Sequence, residues 1–208
     1  MDTEEAPLLK IITIGNGRVG KTSLIARFCQ GHFVSTYKQT LGVDFLQKTV
    51  YVPALRMDVI FQLWDTSGQE EYRSLTRRYF RRSQAALLVF SVEDRQSFED
   101  LHTWRAVVLE ECGDIPMFVV QNKSDLECNR AVSEEEARAQ ALHWELPLHC
   151  LSVKENIGLA RLFEVVAVRT VRHSPACLTV KTETEVRVKR QELKVERRKR
   201  LLGFCALL

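Results

Sequence analysis

Long apolar runs are what this 208-residue chain most lacks. None reaches the ~18 residues of a membrane span. Cysteine is sparse and unpatterned: Cys29, Cys112, Cys128, Cys150, Cys177 and Cys205 show no spacing of a zinc site or a redox pair. That leads us to expect reduced thiols and a cytosolic compartment. The acidic start, MDTEEAPLLK, lacks the apolar core of a signal peptide. With Asp2 where N-myristoylation needs glycine, that modification is not expected. An excess of one charge is missing too, with 30 Lys+Arg against 27 Asp+Glu, net +3. The distribution is uneven: residues 181–200 hold nine Lys/Arg and four Glu, net +5, which leaves −2 elsewhere. A near-neutral body argues against a nucleic-acid surface, and the basic tail points to an acidic partner such as a membrane face.

What is present is an alternation. Leu8 to Ile14 reads as a buried strand and Thr22 to Gln30 as a helix. VDFLQKTVYV and MDVIFQLW, separated by PALR, read as an antiparallel hairpin. AALLVFSV, IPMFVVQN and LPLHCLSV are further strands. SFEDLHTWRAVVLEE, SEEEARAQALHW and LARLFEVVAVRTV read as amphipathic helices between and after them. Ser133, with Glu136 placed to bond back, has the form of a capping box. Continuous apolar strands alternating with helices imply an α/β fold, a mostly parallel sheet covered on both faces. A short arm (residues 1–7), a domain (8–173) and a flexible basic tail (174–208) are the expected divisions.

Gly15 to Thr22, GNGRVGKT, joins the first strand to the first helix. It fits the Gly-x-x-x-x-Gly-Lys-Thr loop, in which glycines let backbone N–H groups turn inward around phosphates. Asn16, Gly17, Arg18, Val19 and Gly20 supply that backbone, and Ser23 continues into the helix. Lys21 is placed for the β- and γ-phosphates and Thr22 for Mg²⁺, with the helix dipole adding positive potential.

The base is chosen further on. Asn122-Lys123-Ser124-Asp125 follows a strand, at the edge where such sheets bind ligands. Asp125 can accept from guanine N1–H and the 2-amino group, whereas adenine would leave that carboxylate unpaired. Ser152-Val153-Lys154 follows the last strand, and the stems of Lys123 and Lys154 can lie along the base. In Trp64 to Glu70, WDTSGQE, Asp65 can meet Mg²⁺ through water. Gly68 can offer its N–H to the γ-phosphate, and Gln69 can orient an attacking water.

These residues resemble those of Ras-like small GTPases, specifically the Rab branch, over roughly residues 8–173. The Rab-like marks are LGVDF (Leu41 to Phe45), WDTSGQE and YFR (Tyr79 to Arg81). The resemblance implies a P-loop GTPase fold, with a six-stranded sheet and one antiparallel edge strand. It implies that Thr40 is the switch threonine on Mg²⁺ and γ-phosphate, that Phe33 packs on the base, and that Tyr37 lies near the phosphates. Phe45, Trp64 and Tyr79 match the aromatic set shown to effectors, and exchange factors and GTPase-activating proteins would act at the same switch regions. WRAVVLEECGDIPMFVVQNKSDL and the single-cysteine end are similar to a Rab subgroup linked to cilia and developmental signalling.

Three departures stand out. Leu41 replaces isoleucine, Ser67 replaces the usual alanine, and Arg82-Ser83 stands for Gly-Ala; Gly17 keeps the glycine. The end, CALL, is a C-a-a-X motif whose final leucine favours geranylgeranyl on Cys205. Residues 189–200, net +5, supply the second membrane signal that one lipid needs. The expectation is therefore a slow GTP-hydrolysing switch that recruits effectors to the cytosolic face of a plasma, endosomal or ciliary membrane. A GTP-binding module with little hydrolysis, tuned by Ser67, is the alternative. An ATP-dependent P-loop kinase is disfavoured by Asp125.

Overall fold

In a computed structural model of the chain, residues 6–33, 40, 43–66 and 79–174 are described. Their strands are β1 (Leu8–Ile14), β2 (Val43–Val52), β3 (Met57–Thr66), β4 (Ala85–Ser91), β5 (Met117–Asn122) and β6 (Leu148–Cys150). Their helices are α1 (Lys21–Gln30), α2 (Arg95–Glu99), α3 (Leu101–Cys112), α4 (Glu134–His143) and α5 (Leu159–His173). Tyr37, Leu41, Ser67, Gly68, Gln69 and Cys205 lie outside the described residues, as does the tail beyond Ser174.

The strands form one sheet in the order β2-β3-β1-β4-β5-β6. Only the β2–β3 pair is antiparallel, as the turn-linked hairpin requires. Side chains alternate across the pleat. Leu9, Ile11, Leu87, Val89, Phe118 and Val120 join one core with α1 and α5, while Ile12, Ile14, Leu88, Phe90 and Val119 join another with α2, α3 and α4. Phe28 and Phe163 stack, and Phe61 meets both edge-on at 5.4 and 5.6 Å between centroids. Full burial of such side chains contributes roughly 1.5–3 kcal/mol each. The outcome is that the carboxyl ends of β1, β3, β4, β5 and β6 all reach one edge of the sheet.

Some local features differ from the sequence reading. The stretch SFEDLHTWRAVVLEE is not one helix. Asp94 caps α2 by accepting from Ser97 N–H, and the chain breaks at Asp100 before α3 begins. Ser133 Oγ does accept from Glu136 N–H at 3.1 Å, but the Glu136 carboxylate does not bond back; it pairs with Arg95 at 2.7 Å. Arg82 takes φ 62°, a left-handed conformation that costs a non-glycine residue roughly 1–2 kcal/mol. A groove of about 660 Å³ between α1, β2 and α5, lined by Phe28, Val50, Val52 and Phe163 among others, includes none of the phosphate-loop residues.

Candidate functional site

The loop after β1 is held by close approach. Gly15 has φ 143°, and a Cβ there would stand 2.1 Å from the carbonyl oxygen of Val89 on β4. A Cβ on Gly17 would meet nothing within 4 Å. Gly15→Ala should therefore cost at least about 3 kcal/mol through backbone displacement and strain. Gly17→Ala, on an open surface, should stay within about 0.5 kcal/mol of the native protein. Denaturant unfolding checks the pair; equal losses at both positions would contradict the packing described.

Lys21 opens α1 but folds back over the loop. Its Nζ donates to the carbonyls of Gly15 at 2.8 Å and Asn16 at 2.7 Å. It is 5% exposed, and burial pushes its pKa down to about 8, against the pull of nearby Asp65. A buried ammonium with only carbonyl partners is poised to receive an anion. Arg18 takes φ 65° at the exposed tip, while Val19 is buried in the core.

The loop after β1 and the loops after β5 and β6 are tied together. Asn122, at the end of β5, donates from Nδ2 to the Val19 carbonyl at 2.8 Å and accepts from Val153 N–H at 3.3 Å. A Cβ on Gly20 would fall 2.3 Å from that same Nδ2, so only glycine admits the tie. Ser152 Oγ accepts from Glu155 N–H at 3.1 Å and donates to Asp125 Oδ1 at 2.6 Å, fixing one side of the carboxylate. Lys123, at φ 62°, forms an ion pair with Glu93 beyond β4, which holds the ammonium end of its stem. Lys154 lies 3.5 Å from Glu155, and Phe33 is 37% exposed at the margin.

Across the loop, three side chains from three segments converge. Thr22 Oγ1 donates to Asp65 Oδ2 at 2.7 Å, and Thr40 Oγ1 lies 3.0 Å from Thr22 Oγ1 and 3.3 Å from Asp65 Oδ2. Asp65 is 6% exposed, and its Oδ1 has no hydrogen-bond partner. Burial raises its pKa above the usual carboxylate range, although both threonines oppose that. A desolvated carboxylate with an unpaired oxygen beside two hydroxyls is an all-oxygen donor set. That fits a hard cation such as Mg²⁺, which takes one or two protein oxygens and completes its shell with phosphate and water.

Two residues that the sequence pattern did not single out reach the loop, one from α3 and one from the break just before it. Asn16 Nδ2 donates to Asp100 Oδ2 at 2.6 Å, and Trp104 Nε1 donates to Asn16 Oδ1 at 2.8 Å. Nothing in helical spacing separates such a tryptophan from an ordinary core residue. On the β2–β3 side, Phe45 stacks on Trp64 at 5.0 Å, and Tyr79 lies 5.8 Å from Trp64. Lys10 Nζ sits 4.6 Å over the Trp64 ring and donates to the carbonyls of Tyr79 and Arg81.

A family profile described as Ras family matches residues 10–172, nearly the whole sheet and its helices. The chain belongs to the Ras family. This Ras-family chain is 36% identical over 180 residues to the GTP-binding protein yptV5 of Volvox carteri, covering 83% of the chain and 87% of that protein. It is 36% identical over 167 residues to the Ras-related protein RGP2 of Oryza sativa subsp. japonica, covering 80% and 76%. It is also 34% identical over 161 residues to the Ras-related protein Rab-13 of Rattus norvegicus, covering 77% and 78%. With such relatives it is a Rab-type small GTPase of α/β fold, its sheet parallel but for one edge strand.

Proposed function

We propose that this protein is a GTP-driven switch that binds GTP and GDP with Mg²⁺, hydrolyses GTP slowly, and recruits effectors to a membrane while GTP-bound. The observation that carries this reading is the Thr22–Thr40–Asp65 oxygen cluster, with its unpaired buried carboxylate oxygen, beside the buried Lys21 ammonium. Together they suit a metal-bound triphosphate.

Thr22, Thr40 and Asp65 would hold Mg²⁺, which when bound neutralises charge on the phosphate oxygens. Lys21 positions and stabilises the transferring phosphoryl group, and backbone N–H groups from Gly15 to Gly20 fix its oxygens. Asp125, steadied by Ser152, reads guanine, while Asn122 keeps base and phosphate loops in register. Gln69 orients the attacking water. Ras-like sites turn over at ~10⁻⁴ per second unaided and gain about 10⁵-fold from a partner's arginine, roughly 7 kcal/mol. Gly17, with open space where a side chain would stand, leaves room for that arginine. The Phe45–Trp64–Tyr79 platform is the surface for effectors of a Rab-type trafficking role.

Single-turnover hydrolysis of preloaded GTP, with and without a cell extract as activator source, tests the switch. Gln69→Leu should slow hydrolysis by at least about tenfold while leaving affinity near native, the pattern of a contact made chiefly in the transition state. Native-rate hydrolysis by that variant would refute the role. Negligible native hydrolysis, restored by Ser67→Ala, would favour a GTP-binding module instead. For the membrane, a prenyl group on Cys205 and the basic stretch 189–200 act together, each basic residue adding about 1 kcal/mol near an anionic leaflet. Cys205→Ser should move the protein to the soluble fraction of a cell lysate with nucleotide affinity unchanged. Persistent membrane association would refute the anchor.

A further inference from the structure

Asn16 is the one long polar side chain of the phosphate loop whose amide is gripped at both ends by another element. Its oxygen accepts from the Trp104 indole, 88 positions away in sequence, and its nitrogen donates to the Asp100 carboxylate, 84 positions away. Both partners are themselves immobilised. Trp104 is 2% exposed in the α2–α3–α4 core. Asp100 sits at the break between α2 and α3, where its second oxygen accepts from Gln96 at 2.9 Å and its carbonyl accepts from Trp104 N–H at 3.1 Å. The gripped residue also presents its own carbonyl to Lys21 Nζ at 2.7 Å. A rigid helix junction is thus connected, through one amide, to the lysine that faces the phosphates.

We infer that Asp100 and Trp104 are positioning residues for the phosphate loop, a two-point clamp on Asn16 that sets the rate at which bound nucleotide leaves. The physical reason is preorganisation. Glycines at 15, 17 and 20 give the backbone of this loop much freedom unless contacts fix it, and any ordering left until binding costs affinity. Clamping Asn16 and the backbone on either side of it removes part of that cost in advance. Neither residue touches nucleotide; each acts through Asn16. The inference rests on the reading of this loop as a phosphate cradle.

The test is the dissociation rate of fluorescent GDP in Mg²⁺ buffer, measured beside the unfolding midpoint of each nucleotide-free protein. Trp104→Phe keeps the ring but removes the N–H, and should speed release about three- to tenfold, the share of one hydrogen bond. Asn16→Asp places a carboxylate against that of Asp100 and should speed release at least about tenfold through like-charge contact. Adding Asp100→Asn restores a donor–acceptor pair of opposite direction and should return release to within about threefold of native. Asp100→Asn alone should have a small effect, because the Gln96 amide can turn to meet it. This reciprocal rescue, with nucleotide-free midpoints nearly constant, supports the clamp. Additive effects in the double variant, or release rates that rise only as the midpoints fall, would overturn it. If the native chain retains no nucleotide, the cradle reading fails first and the clamp with it.

Discussion

Asp125→Asn is expected to turn this protein from a guanine binder into a xanthine binder. The native carboxylate offers two acceptors, matched by guanine N1–H and the 2-amino group. An amide replaces one acceptor with a donor, which faces the 2-amino donor of guanine but suits the 2-oxo group of xanthine. The surroundings decide which way the amide points. Ser152 Oγ accepts from Glu155 N–H, so its own proton is directed at the oxygen of residue 125, 2.6 Å away. The amide oxygen therefore stays on the Ser152 side, and the amide nitrogen faces the base. A mismatched buried bond costs about 1–3 kcal/mol, so GTP affinity should fall by roughly 5–150-fold. Affinity for xanthosine triphosphate should rise by a similar order. Competition against a fluorescent nucleotide measures both. Equal affinity of the native protein for ATP and GTP, or an unchanged GTP preference in the variant, would dispose of the base-reading role. Ser152→Ala makes a useful companion, because it frees the amide to flip and should blunt the switch.

Why residue 125 could be proposed from sequence, and residue 100 could not, is a matter of what each signal encodes. The hairpin was legible because PALR separates two strongly alternating runs, and the strand–loop–helix passage at Gly15–Thr22 because its glycines and lysine keep a fixed spacing between β1 and α1. Those are local patterns. The division of the helical stretch at Asp100 was not legible, because apolar spacing continues on both sides of the break. Asp94 caps the start of α2, Asp100 closes its end with its N–H on the Gln96 carbonyl at 2.9 Å, and the Asp100 side chain is in contact with Asn16. Asn122 tells the same story. Its position at a strand end suggested the base, yet its side chain spans to Val19 and leaves no room for anything larger than Gly20. Glu136 shows the reverse case, where a local pattern lost to a distant partner. A capping box predicts a bond to its own helix start, and the carboxylate is taken by Arg95 instead. Glu93 carries no motif at all, and its pairing with Lys123 depends on β4 and β5 lying side by side.

Lys21→Met should separate stability from binding. The native ammonium is buried, and its pKa falls from an ordinary 10.5 to about 8. At 1.36 kcal/mol per pH unit, holding the charged form in the nucleotide-free fold costs about 3 kcal/mol. Because the folded-state value lies below the ordinary one, that cost is complete below about pH 8 and fades as pH approaches 10.5. Methionine has similar length and no charge, so the variant escapes the cost at pH 7. It loses the bonds to the Gly15 and Asn16 carbonyls, worth about 1–2 kcal/mol each where water cannot replace them. These terms nearly offset, and the nucleotide-free variant should be as stable as the native protein to within about 2 kcal/mol. Binding has no such offset. Removing the partner of a buried phosphate charge costs about 3–5 kcal/mol, on the order of 10²–10³-fold in affinity. At a GTP concentration of about 1,000 times the native Kd, native protein gains about 4 kcal/mol, which for a domain of this size is about 8–16 °C in Tm. The variant, with Kd raised about 10³-fold, should gain about 0.4 kcal/mol, or about 1 °C. Lys21→Arg should fail on both counts, since its planar head needs more room than a 5% exposed site allows. Thermal unfolding of each form at pH 7, with and without GTP and Mg²⁺, makes the comparison. A native-sized GTP shift in the methionine variant would show that Lys21 does not meet the phosphates. A collapse of its nucleotide-free Tm would show that the lysine holds the loop together rather than waiting for an anion.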